Sequence, residues 1–237
     1  MFPPRNPAEI KHNSVVFFDI DGTLLLTQHG RQAMNDAFQH HFGISEAFES
    51  ISFAGATDPD IFKTICEQHG FCPTRGDHRS FFHDYYQRLD HLFDDRINIL
   101  PGSHEILRIL RGKNLHLGVI TGNNPGSANV KLREAGFIDY FDGGAYGDDG
   151  PIRADIVAAA IRRFQIDPTN AVLIGDSIRD IQTGKKHGVH TVAVPTGTTS
   201  CESLNQEDPD LLLTSLDPPA ALLTFIETTL PLKGVTN

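Results

Sequence analysis

Apolar residues fall along this chain in two rhythms. Short unbroken runs, Val15 to Phe18, Leu115 to Ile120, Ala171 to Ile174 and Thr191 to Val194, have the length and β-branched content of buried strands. Between them, apolar positions recur three and four residues apart, at Ile106, Leu107 and Leu110, at Ile156, Val157 and Ile161, and at Ile178 and Ile181, which predicts helices. Gly136 and Gly188 stand where a left-handed residue would end such helices. Strands alternating with helices predict an α/β fold: right-handed crossovers, a mostly parallel sheet covered on both faces, and ligands bound at the carboxyl ends of the strands.

From about Leu26 to Asp95 the alternation stops. Ala33, Met34, Ala37, Phe38 and Phe42 follow helical spacing, as do Ile61, Phe62, Ile65 and Cys66, and then Phe81, Phe82, Tyr85, Tyr86, Leu89 and Leu92. These are helices without strands between them, so the expected organisation is a core over residues 1–25, a helical insertion over 26–97 and the rest of the core over 98–237. The aromatic stripe reads as the insertion's own core. Ser103 is expected to cap the helix that resumes the alternation, and Asp58 before Pro59 reads as an N-cap followed by a proline at the first helical position.

Composition narrows the partners. The formal net charge of −10, with no cluster of five or more Lys and Arg, disfavours nucleic acid or an anionic membrane. An anionic substrate would therefore need a metal or a specific local cation. Cys66, Cys72 and Cys201 cannot all pair and form no CxxC spacing, which fits reduced thiols in a cytoplasmic protein. The opening MFPPRNPAEIKH lacks the apolar stretch of a signal peptide, and no run approaches a membrane span. Among the histidines, neither His40 with His41 nor His187 with His190 has the spacing of a zinc site. A monomer or a homodimer is expected.

Three of the apolar runs end in polar groups: Asp19-Ile20-Asp21-Gly22-Thr23, Thr121-Gly122-Asn123, and Gly175-Asp176-Ser177 with Asp180 beyond. In a parallel sheet these ends converge. The carboxylates of Asp19, Asp21 and Asp176 would repel one another in a partly dry cleft, and a hard divalent cation would relieve them. Oxygen ligands alone suit Mg²⁺. Asp19 is the candidate nucleophile for phosphoryl transfer and Asp21 the candidate acid and base. Gly22 lets the backbone pass close to phosphoryl oxygens, and Thr121 with the amides of Gly122 and Asn123 offers uncharged donors. Arg153, at the start of a helical pattern, can hold two phosphoryl oxygens at once.

Taken in order, "DIDGT", "TGN", the basic residue before "ADIVAAAI" and "GDSIRD" resemble the haloacid dehalogenase superfamily, over about Val15 to Leu216. The insertion after "DGT" is similar to its helical C1-type cap, as in the phosphoglycolate-phosphatase-like branch. The resemblance implies a Rossmann-like three-layer core and an aspartyl-phosphate on Asp19. It also implies Mg²⁺ held by Asp19, the Asp21 carbonyl and Asp176, with Asp180 supporting. Family members usually carry lysine where Arg153 stands. Gly55, Thr57 and Asp58, in "AGATDPDIF", are candidate substrate contacts from the cap. Sugar-phosphate mutases carry an arginine where Asp58 stands, and phosphonate-cleaving relatives use a cap lysine, whereas Lys63 reads as a surface residue. The expected activity is hydrolysis of a small phosphorylated metabolite, phosphoglycolate-like or a sugar phosphate. A phosphomutase and a catalytically weak phospholigand-binding protein are the alternatives.

Overall fold

The computed structural model describes residues 14–49, 56–93, 97–113 and 115–232. At its centre lies β1 (Val15–Phe18), flanked by β4 (His116–Ile120) and β6 (Ala171–Gly175). Beyond β4 comes β5 (Gly143–Ala145), and beyond β6 come β7 (His190–Ala193) and β8 (Leu211–Leu212). The order is β5-β4-β1-β6-β7-β8, with every pairing parallel. The chain builds outward from β1 on one side and then on the other, so the carboxyl end of β1 opens into the crevice where such sheets bind ligands. β5 and β8 escape the apolar rhythm because one is Gly-Gly-Ala and the other only two residues long.

The two-residue strand period sorts the core into two faces. Val16 and Phe18 pack with Leu117, Val119, Val172 and Ile174 under α4 (Ser103–Gly112), α5 (Pro125–Glu134) and α9 (Ala220–Thr229). Val15 and Phe17 pack with Ala171 and Leu173 under α6 (Arg153–Phe164). The Phe17 and Phe164 rings meet edge to face at 5.1 Å, and a Cβ on Gly118 would lie 2.6 Å from the Phe17 ring. The next residue on the Phe17 face is Asp19, which the pleat therefore aims toward the start of α6. Beside α6, α7 (Ile178–Lys186) covers β6 and β7, and α8 (Cys201–Gln206) closes over Ile181 and Ala193. Gly136 and Gly188 take φ of 69° and 73° behind α5 and α7, as expected of helix-ending glycines.

The inserted helices are α1 (His29–Phe42), α2 (Asp58–Gln68) and α3 (Arg75–Leu92). The chain enters and leaves them through an antiparallel pair, β2 (Leu25–Leu26) against β3 (Asn98–Ile99). Phe38, Phe62 and Phe81 form the centre of this layer, with ring centroids 4.5 to 5.7 Å apart, so the stripe is packing. Val130 of α5 joins the same cluster, so the core's own helix forms part of the floor of the insertion.

Two caps differ from the sequence reading. Gly102, not Ser103, precedes α4: its φ is 85°, a Cβ there would lie 2.4 Å from the Leu216 backbone, and Ser103 Oγ instead donates to Leu24 O at 2.9 Å. Thr57, not Asp58, caps α2, accepting from Asp60 N at 3.2 Å, so Pro59 falls at the second helical position. All three cysteines are unpaired. Among the described residues, no helix is long and apolar enough to cross a membrane.

Phe81 is fully buried in the aromatic cluster. Phe81→Ala is expected to cost about 3–5 kcal/mol, read from urea unfolding, because the cavity adds to the lost transfer energy. A loss below about 1 kcal/mol would mean that the three helices do not rely on this cluster.

Candidate active site

The carboxyl ends of β1, β4 and β6 open into a cleft of about 300 Å³, lined among others by Asp19, Asp21, Thr121, Arg153 and Asp176. Asp19 is tied by its amide to Ile174 O at 3.0 Å, which seats it between β1 and β6. Arg153, the first residue of α6, is 7% exposed. Its Nη2 lies 3.0 Å from Asp19 Oδ1 and 2.9 Å from Ile120 O, and its Nε lies 3.0 Å from Asp180 Oδ1. The guanidinium is thus not the free two-pronged clamp that the sequence suggested. Two of its nitrogens are committed to protein oxygens, and among the described residues only Nη1 has no partner.

Asp180 is equally committed. It closes a capping box with Ser177 at the start of α7, with Ser177 Oγ 2.6 Å from its Oδ2, while its other oxygen meets Arg153. Asp176 is freer: among the described residues its one side-chain partner is Thr23 Oγ1 at 3.3 Å. Glycines surround it, and a Cβ on Gly22 or Gly197 would come within 2.4 or 1.7 Å of Asp176 Oδ2. Carboxylate oxygens of Asp19, Asp176 and Asp180 lie within 4.8 Å of one another.

Crowding and burial shift these acids. Burial pushes Asp19 up to about 6, although Arg153 pulls against it. Burial, aided by the charges of Asp19 and Asp180, pushes Asp176 up to about 8. A crowded, oxygen-only donor set whose members resist ionising together fits a hard divalent cation such as Mg²⁺.

The Asp21 carboxylate is not part of this crowd. It turns toward α5, where Lys131 Nζ sits 2.8 Å from Oδ1 and 2.6 Å from Oδ2, and Asn123 Nδ2 donates to Oδ2 at 2.7 Å. Lys131, 4% exposed, also donates to Asn123 Oδ1 at 2.7 Å. Lys131 belongs to none of the strand-end motifs. Its signal was a lysine on the same helical face as Ala128, Leu132 and Ala135, a position where a cation needs a partner.

Thr121 Oγ1 accepts from Asn123 Nδ2 at 2.7 Å and from Asn123 N at 3.3 Å, so the Asn123 amide is directed at Thr121 and is not a free donor. The Gly122 amide has no partner among the described residues. Gly122 is needed for another reason as well: a Cβ there would lie 2.5 Å from Ala56 O of the insertion. Asp58 completes that junction. Its amide donates to Gly122 O at 2.8 Å, and its Oδ2 accepts from Asn124 N at 2.9 Å and Ser127 Oγ at 2.6 Å. Asp58 and Ala56 line the cleft, Thr57 is buried in its capping role, and Gly55 lies outside the described residues. Away from the cleft, Lys63 makes an exposed pair with Glu67 at 3.8 Å, and His41 meets Asp84, which also holds Arg88 at 2.8 Å.

Comparison with known proteins identifies the family. Residues 16–194 match the family model described as haloacid dehalogenase-like hydrolase. The chain is 32% identical over 119 residues to a phosphoglycolate phosphatase of Nitrosospira multiformis, across 49% of this chain and 52% of that protein. It is 25% identical over 226 residues to pyrophosphatase PpaX of Bacillus pumilus, across 89% and 96%. The β-phosphoglucomutase of Clostridium difficile superposes with a TM-score of 0.70 at 20% identity, over 91% of this chain and 98% of that one, a likeness of fold.

Because Asp19 and Asp176 hold protons more tightly than the unfolded value of 3.8, their contribution is full below about 4 and is lost as pH rises through about 6 and about 8. In EDTA, Asp176→Asn is therefore expected to gain melting temperature on the wild type between about pH 6 and about 8. Parallel melting curves across that window would refute the crowding.

Proposed function

This chain belongs to the haloacid dehalogenase-like hydrolases, and we propose that it is a Mg²⁺-dependent phosphatase of a small phosphorylated metabolite. The observation that carries the reading is Asp19, a buried carboxylate at a strand end, facing a guanidinium and opening on the cleft. In the first step an Asp19 oxygen forms a bond to phosphorus while the bond from phosphorus to the ester oxygen breaks, and Asp21 gives its proton to the departing alkoxide. In the second step water adds to phosphorus, its proton passes to Asp21, and the bond from phosphorus to Asp19 breaks to release phosphate.

Arg153 Nη1, the Thr121 hydroxyl and the Gly122 amide are the donors for the phosphoryl oxygens. Asp19 and Asp176, with the Asp21 carbonyl, would hold Mg²⁺, and Asp180 supports the site through Arg153. The bound ion would screen the repulsion between carboxylate and phosphate. Ala56 and Asp58 keep bulk water from the strand ends.

The far wall favours some esters over others. Among the described lining residues Arg153 is the one cation, and it already faces Asp19. Asp58, Thr27, Thr198 and Thr199 stand in the rest of the wall. Hydroxyls fit this lining better than a second acid, which supports a sugar or polyol monophosphate over phosphoglycolate. The same Asp58 disfavours the second phosphate that a phosphomutase must hold.

With Mg²⁺, phosphate release is expected to be at least about tenfold higher in kcat/KM for glycerol phosphate than for phosphoglycolate. EDTA or Asp19→Asn should abolish release from both while the circular dichroism spectrum persists. Unchanged turnover by Asp19→Asn would overturn the covalent mechanism, and a preference for phosphoglycolate would overturn the substrate assignment alone.

A further inference from the structure

Lys131 comes from the core helix α5, and no motif at the strand ends contains it. Its three ammonium protons have three acceptors: both Asp21 oxygens and Asn123 Oδ1. The set is complete, so the ammonium is satisfied without solvent. Asn123 adds a further donor to Asp21 Oδ2 at 2.7 Å, and that amide is itself aligned on Thr121. Two neighbouring elements therefore hold the Asp21 carboxylate, whose side chain is still 40% exposed to the cleft.

The insertion closes over the same place. A Cβ on Gly30 of α1 would lie 3.5 Å from both Lys131 Nζ and the Tyr85 hydroxyl of α3, and Tyr85 stands against Ser127, the residue that holds Asp58. Lys131 is buried beneath these residues, so its hold on Asp21 belongs to the packed junction of insertion and core.

We propose that Lys131 is a positioning residue for the second half of the reaction, orienting the Asp21 carboxylate to take a proton from the attacking water. This rests on the phosphatase reading above. Donors on both oxygens suit the carboxylate as an acceptor, the form required when water is deprotonated, when water oxygen bonds to phosphorus and when Asp19 is released. Formation of the phosphorylated enzyme from an ester with a good leaving group needs no proton from Asp21, so the two halves can be separated.

The test is stopped-flow hydrolysis of 4-nitrophenyl phosphate with saturating Mg²⁺ by wild type, Lys131→Met and Lys131→Arg. For Lys131→Met, kcat should fall about tenfold or more and KM should fall with it. kcat/KM should stay within about twofold, and a burst of nitrophenol close to one per site should appear. Lys131→Arg, which restores donors to the carboxylate, should recover part of kcat and shrink the burst. A parallel loss of kcat and kcat/KM without a burst, or no change in either, would overturn the assignment. Misfolding of Lys131→Met leaves Lys131→Gln, which lacks the charge and one of the donors, to decide: kcat below wild type with a burst supports the role, and wild-type kinetics refute it. A wild type that releases phosphate from no ester would remove the phosphatase reading itself, and this assignment with it.

Discussion

The constraint on which the rest of this protein depends is the crowding of Asp19, Asp176 and Asp180 around one guanidinium. Arg153 can balance Asp180 and part of Asp19, but not Asp176 as well. Burial first, and then that imbalance of charge, raises both Asp19 and Asp176, and the imbalance leaves a charge deficit that a divalent cation fits. The central position of β1 follows from the same requirement. Only a strand with parallel neighbours on both sides brings three strand ends within reach of one another.

Glycine makes the crowding possible. Gly22, Gly175 and Gly197 stand where any side chain would strike Asp176 or Asp180, and Gly122 stands where one would strike Ala56. Asp58 joins the insertion to the loop after β4 and to the first turn of α5 through three hydrogen bonds, and Lys131 lies farther along α5. The hydrogen bonds of Asp58 and those that hold the Asp21 carboxylate thus lie side by side, meeting at the consecutive residues Gly122, Asn123 and Asn124. Buried hydrogen bonds of this kind specify one arrangement, since a lost partner leaves desolvated groups unpaired.

Legibility from sequence followed the physics of each signal. Four strands and the helices between them were readable because burial on both faces writes unbroken apolar runs and amphipathic helices write a 3.6 period. Gly143–Ala145 carries neither signal and is a strand only because Gly118, Val119 and Ile120 pair with it. Asp19, Asp21, Thr121 and Asp176 were readable because they follow apolar runs directly. Their partners were not, since pairing across 110 residues, as between Asp21 and Lys131, leaves no local pattern. The same holds for Asp58, whose place before Pro59 suggested a helix cap, whereas its carboxylate is drawn instead to Asn124 and Ser127.

The claim that unites these features is that Asp19 becomes covalently phosphorylated. The most direct measurement is acid quenching during turnover, followed by peptide mapping by mass spectrometry, with Asp21→Asn used to slow release. The account predicts a phosphoryl adduct, sensitive to hydroxylamine, on the peptide carrying Asp19. Phosphate release with no adduct on that peptide, or with one on another residue, would contradict it.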